Sequence, residues 1–338
     1  MIDKIKKDKA LWDLFSRREE YNPKQFDHHK RFLYKYSENK KVLEPRVSEF
    51  LMNNGFRIQW PSHKKFAVCL THDIDHIYPS FKYRGFTAMK YGLKGKFQKS
   101  LNRMFCNENP YWNFRKIISL EKKFDAKSSF FFLADNSNYN IDTMQDELFY
   151  IMKTGNEIGL HGGYQTYNNF NLIKKEKEKI EDIIDQKIIG YRNHYLRFAI
   201  PQTWRLLEKA GFKYDTTLGY ADQVGFRNGM CYPFKPSDLN TNEEIDIIEI
   251  PLIIMDNTLF LYMRLTIAET WQICKKIIDI VKNYEGVLTI LWHNNSFDEI
   301  YRKGWGKLYE KILIYCHQEN AWMTTGKNIW NLMDIDNI

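Results

Sequence analysis

Short apolar runs recur along this chain, and each breaks off into ionisable residues. "FAVCLTHD" (66–73) leads into Thr-His-Asp-Ile-Asp-His, and "SSFFFLAD" (128–135) and "NEIGLHGG" (156–163) repeat the form. "KIIGYR" (187–192), "IDIIEIPLIIMD" (245–256) and "GVLTILWHN" (286–294) continue it. Between them lie helical patterns at 113–124, 142–155, 171–185 and 201–211, the last opening on Pro and closing on Gly. Strands alternating with helices of about 10–15 residues predict βαβ units and a parallel sheet, closed as a barrel or left open.

In such folds the chemistry sits at the C-terminal ends of the strands. The first run ends in Asp73 and Asp75, the third in His161, the fourth in Arg192 and His194, and the last in His293. Each alone is ordinary strand-end or turn chemistry, but four separate strands delivering such groups to one end predict a shared cleft. Burying them unpaired would be costly. Residues i and i+2 of a strand face the same side, so Asp73 and Asp75 can converge, while His76 should face away from its neighbour Asp75.

The rest of the composition narrows the class. With 338 residues, 43% hydrophobic and 16% aromatic, the chain can bury a large core as one large domain or two smaller ones. Five scattered cysteines without a CxxC pair argue against a disulfide framework or a cysteine-rich zinc site. The charged N-terminus has no secretory apolar core, and no run reaches the roughly 18 apolar residues of a membrane span. A soluble protein of a reducing compartment is expected.

Residues 1–60 are polar with helical patches such as "PRVSEFLMNNGF" and read as an N-terminal extension packed on a main domain over 61–338. Between residues 80 and 104 lie seven basic residues and no acidic one, interleaved with Phe81, Tyr83, Phe86, Tyr91 and Phe97. This insert is either a solvated amphipathic helix over the barrel mouth or a guide for an anionic carrier or a membrane surface. No nucleic-acid-binding motif accompanies it.

Taken together, "THDID", "LHGGYQT", "YRNHYLRF" and "ILWHN" resemble, in order, the motifs of the polysaccharide deacetylase family, the NodB-homology carbohydrate esterases. The closing "WMTTGKNIWNLM" resembles that family's last strand and helix. The resemblance implies a distorted (β/α) barrel carrying an N-terminal helical extension, and a divalent metal ion, zinc above all. It implies Asp73 as catalytic base, Arg192 as its orienting partner, His293 as general acid and Tyr195 as the position whose N–H holds the oxyanion. Asp75 and His161 would bind the metal. Where the family has a second histidine this chain has Gln165, and where the family has proline it has His194. The third ligand is therefore His194, with Gln165 and His76 as competitors. Asp215, Arg227 and Asp256 stand near the motifs, Asp215 as a partner for Arg192 or His293, Arg227 as a substrate contact at the mouth.

The implied activity is removal of an acetyl group from an N-acetylated carbohydrate, nucleotide- or lipid-linked, in making a bacterial cell-surface polysaccharide. The location would be cytoplasmic, at the inner face of the membrane if the basic insert docks there. A catalytically inactive carbohydrate-binding barrel and a metal-dependent hydrolase of a non-sugar amide are the competing readings.

Overall fold

The computed structural model describes residues 2–105 and 109–335. Cys106, and the side chain of Arg103, lie outside the described residues. The described chain has eleven strands. They are β1 (Phe66–Ile74), β2 (Ser129–Leu133), β3 (Glu157–Gly162), β4 (Gly190–Asn193), β5 (Tyr214–Asp215) and a small hairpin of β6 (Ser237–Asp238) and β7 (Glu243–Glu244). The remaining strands are β8 (Ile248–Glu249), β9 (Leu252–Met255), β10 (Val287–Leu291) and β11 (Ala321–Thr324).

Eight strands form one parallel ladder in the order β8-β5-β4-β3-β2-β1-β10-β9. All nine residues of β1 are buried, as a central parallel strand covered on both faces requires. One edge of β1 pairs with β10, while the other is shared end to end by β11 along Phe66–Cys69 and β2 along Thr71–Ile74.

The run at 245–256, expected as one strand, is two. Only Ile250 and Pro251 separate β8 from β9, yet the two strands occupy opposite ends of the strand order. The sheet must curl until its edges meet at this dipeptide, which makes it a distorted (β/α) barrel. Pro251 has no N–H for a ladder, so the pairing changes partner there.

The expected helices appear as Phe114–Lys122, Gln145–Lys153, Phe170–Ile184 and Gln202–Lys209. The basic insert folds as two helices, Phe81–Gly92 and Phe97–Met104, with Gly95 between them at φ 67°. Near the N-terminus, Leu11, Trp12, Leu14, Phe15, Val47 and Leu51 are buried in the same core as the barrel strands. The backbone N–H groups of Val47 and Ser48 both donate to the Gly229 carbonyl, at 3.0 and 3.2 Å. Cys69, Cys231, Cys274 and Cys316 are buried and unpaired.

Candidate active site

Alternation along the end of β1 sorts its polar residues into two groups. His72 faces the helical side, with Nε2 2.8 Å from Glu121 Oε1 and Nδ1 2.6 Å from the Trp292 carbonyl oxygen. Asp73 and Asp75 face the barrel mouth. His76 is exposed and stands outside the group they form.

Asp75 is the hub. His161 Nε2 lies 3.2 Å and His194 Nε2 3.5 Å from its Oδ1, and His293 Nε2 lies 3.6 Å from its Oδ2. One ligand atom each from Asp75, His161 and His194 fall within 4.8 Å of one another. Burial alone would raise the Asp75 carboxyl, but His194, His161 and His293 outweigh it and hold Asp75 well below the usual range. His161 Nδ1 lies 3.0 Å from the Arg192 carbonyl oxygen, which can only accept. Nδ1 therefore carries a proton, as a metal-binding histidine needs; burial lowers the imidazole, but Asp73 and Asp75 outweigh it and raise it, so a cation at Nε2 would take the place of a second proton. Burial drives the His194 imidazole down to about 4, so it is neutral at ordinary pH and able to donate its lone pair. Gln165 is exposed, its Oε1 accepting from Arg197 Nη1 at 3.4 Å, and takes no part in the cluster.

Asp73 is 2% exposed, with Oδ2 3.7 Å from His161 Nε2 and Oδ1 3.7 Å from Arg192 Nη1. Arg192 is fully buried; its Nη2 donates to Thr216 Oγ1 at 3.0 Å and its guanidinium lies 5.2 Å from the centre of the Phe131 ring. Asp73 Oδ1 and Arg192 Nε and Nη1 are buried without hydrogen-bond partners among the described residues. Such orphaned groups beside a carboxylate ringed by imidazoles fit a missing water and cation. One carboxylate and two imidazoles are the donor set of an open hydrolytic site.

On the other side of the hub, His293 Nδ1 lies 2.6 Å from Asp256 Oδ1. Burial lowers the His293 imidazole, but Asp256 above all, then Asp75 and Asp73, raise it to about 9. Asp256, at the end of β9, is thus the partner of His293, and Asp215 is not. Asp215 instead accepts from the Thr217 hydroxyl at 2.6 Å, and burial raises its carboxyl. Arg227 is not a substrate contact either. It is 3% exposed, paired with Glu20 and donating to the Gly219 carbonyl at 2.7 Å.

Tyr195 follows His194 in the left-handed region, at φ 61° and ψ 9°, with Leu196 also at φ 54°. Its ring is 42% exposed, and its centre lies 4.4 Å from those of both His194 and His29 in tilted contacts. Sequence reasoning missed His29 and Arg31, because neither lies on a periodic element.

The fold these strands and helices define is that of the polysaccharide deacetylases. The chain superposes on a protein from Mycobacterium smegmatis described as a polysaccharide deacetylase with a TM-score of 0.60 and 16% identity, covering 83% of this chain and 94% of that one. A Pseudomonas aeruginosa PAO1 protein described likewise gives 0.60 and 14%, over 85% and 96% of the two chains. The Puue allantoinase gives 0.58 and 15%, over 90% and 97%. No family model matches the sequence, and no curated protein matches it significantly.

Proposed function

We propose that this chain is a metal-dependent hydrolase of the NodB-homology family that removes the acetyl group from an N-acetylated sugar. The observation that carries this reading is the placement of Asp73 with Arg192 and of His293 with Asp256 on two sides of the Asp75–His161–His194 cluster. A divalent cation held by those three residues, zinc above all, would polarise the acyl carbonyl and acidify a water. Asp73, its Oδ1 unpartnered, accepts the proton of the attacking water, and Arg192 keeps the carboxylate oriented. The Tyr195 amide donates to no acceptor among the described residues and serves the developing oxyanion. His293, held protonated by Asp256, gives its proton to the leaving nitrogen as the C–N bond breaks and acetate departs.

The substrate is an N-acetylated precursor of a cell-surface polysaccharide on a nucleotide or lipid carrier, handled in the cytoplasm at the inner membrane face. Two features support this. The four described cysteines are free and buried, as a reducing compartment permits. The two insert helices and the turn between them expose Phe81, Leu93, Phe97 and Leu101 beside Lys82, Lys90, Lys94, Lys96 and Lys99, which suits an anionic bilayer surface. The fold likeness to an allantoinase favours one second reading, hydrolysis of a non-sugar amide.

Metal content by mass spectrometry, followed by turnover on carrier-linked N-acetyl sugars and on cyclic amides, tests the proposal. Zinc near one equivalent, lost in His194→Ala and kept in Gln165→Ala, is the expected result. Turnover confined to cyclic amides would select the second reading. A protein that takes up no metal and turns over nothing would be a binding barrel.

A further inference from the structure

The segment around residues 27–31 reaches the rim of the site from the N-terminal end of the chain. Arg31 is 5% exposed and lies at the junction of three parts of the molecule. Its Nε and Nη2 donate to Asp27 Oδ2 at 2.9 and 2.7 Å, which anchors it in its own segment. Its Nη1 donates to the Tyr195 carbonyl at 3.0 Å, one residue past His194. Its Nη2 also donates to the Tyr262 hydroxyl at 2.9 Å, in the π-helix Thr258–Tyr262 that follows Asp256. One guanidinium therefore ties the loop carrying His194 and the Tyr195 amide to the segment that orients His293. His29 adds a second hold, its Nδ1 3.1 Å from the Tyr164 hydroxyl and its ring against Tyr195.

The contact to Tyr195 falls where the backbone needs it. Two successive non-glycine residues in the left-handed region cost of order 1–3 kcal/mol each and persist only where the surroundings fix them. The Tyr195 carbonyl belongs to the peptide that joins that strained pair, and it is held by a charge-assisted bond from a buried, pre-organised fork.

We propose that Arg31 is a positioning residue of the hydrolytic site. It fixes the left-handed Tyr195 peptide, and with it the Tyr195 amide and the His194 imidazole, relative to the His293–Asp256 pair. The N-terminal segment is then part of the catalytic apparatus. This deepens the hydrolase reading and rests on it.

The test compares wild type with Arg31→Met, Arg31→Lys and Asp27→Asn in the full chain, reading kcat and KM separately together with bound metal and melting temperature. Misplacing a reacting group by about 1 Å costs on the order of 100-fold. The expected result is a kcat lowered about 10- to 100-fold in Arg31→Met, with KM and metal stoichiometry near wild type. Arg31→Lys should recover only part of the loss, and guanidinium at low concentration should partly restore Arg31→Met. A folded, metal-loaded Arg31→Met with wild-type kcat overturns the proposal. So does a loss that tracks the unfolded fraction and does not respond to guanidinium. A wild-type protein inert on every acetylated sugar and amide overturns the hydrolase reading itself, a separate outcome read before any variant is made.

Discussion

His293 and Asp256 are joined twice: Nδ1 of the imidazole lies 2.6 Å from Oδ1 of the carboxylate, and the His293 backbone N–H donates to Oδ2 at 2.8 Å. The Ser296 hydroxyl donates to Oδ2 as well, and that serine accepts from Arg302 Nη1 at 2.8 Å. The carboxylate cannot rotate away, so the imidazole presents Nε2 to the cleft with Nδ1 permanently occupied.

The alkaline side of the pH–rate profile follows from this pair. An imidazole raised to about 9 keeps its proton through neutral pH and loses it as pH rises past that value. Removing the negative charge in Asp256→Asn takes away the largest raising influence. The alkaline limb of kcat should then move to lower pH, with kcat reduced about 100-fold or more on the usual scale of acid–base catalysis. An unmoved limb would show that His293 does not supply the proton.

Asp73 and His161 should separate chemistry from metal binding. Asp73→Asn keeps the size of the side chain and removes the proposed base, so turnover should fall by about 100- to 10,000-fold with metal retained. His161→Ala removes a donor of the cluster, and metal should leave with it. A metal-replete Asp73→Asn enzyme at wild-type rate would sink the assignment of the base.

The Arg17–Glu20–Arg227 network should govern acid stability. Glu20 Oε1 accepts from Arg17 Nε at 2.7 Å and Arg227 Nε at 3.0 Å, all three residues being buried. Burial would raise the Glu20 carboxyl, but Arg227 and Arg17 outweigh it and hold it below its ordinary 4.5. The stabilisation is full above that ordinary value and fades as pH falls through the lower folded value, because the unfolded chain takes the proton first. Glu20→Gln should destabilise by about 3–5 kcal/mol at neutral pH, since Arg227 loses its buried counter-charge and Arg17 keeps only Glu19. Melting curves against pH should show the gap to wild type closing under strongly acid conditions. A constant gap would contradict the account.

The insert helices should carry the protein to anionic bilayers. Phe81 is 84%, Leu93 82% and Phe97 72% exposed, and none of Lys82, Lys90, Lys94, Lys96 and Lys99 forms an ion pair among the described residues. Each lysine near an anionic surface contributes about 1 kcal/mol. Sedimentation with phosphatidylglycerol vesicles should pull down wild type, weaken with salt, and fail with phosphatidylcholine alone. Phe81→Ser with Leu93→Ser should abolish it without altering bound metal. Equal binding to both vesicle types would rule out the charged contact.

Much of the site was legible because a parallel barrel delivers strand-end residues to one place. Asp73, Asp75, His161, Arg192, His194 and His293 each close an apolar run, and the structure brings all six together. Strand alternation turned His76 away from Asp75 but left it a competitor for the third ligand; the structure leaves it exposed. Asp256 closes a run too, but its pairing with His293 depends on β9 lying beside β10, which no local pattern encodes. Arg227 misled because a loop arginine near the motifs looks available, whereas its counter-charge comes from Glu20, 207 residues away. Arg31 was invisible for the same reason: its acceptors at Tyr195 and Tyr262 are 164 and 231 residues distant.

The dipeptide that closes the barrel also moors its chemistry. Glu249, in β8, accepts from the Trp204 indole N–H at 2.8 Å and from the Leu218 amide at 3.1 Å. Seven residues later the same backbone delivers Asp256 to His293. The edge strand β8, separated by β5 from the strand that carries Arg192, and the carboxylate that holds His293 are therefore two ends of one short tether. A displacement of that edge strand would pull through Ile250 and Pro251 on the residue that orients His293.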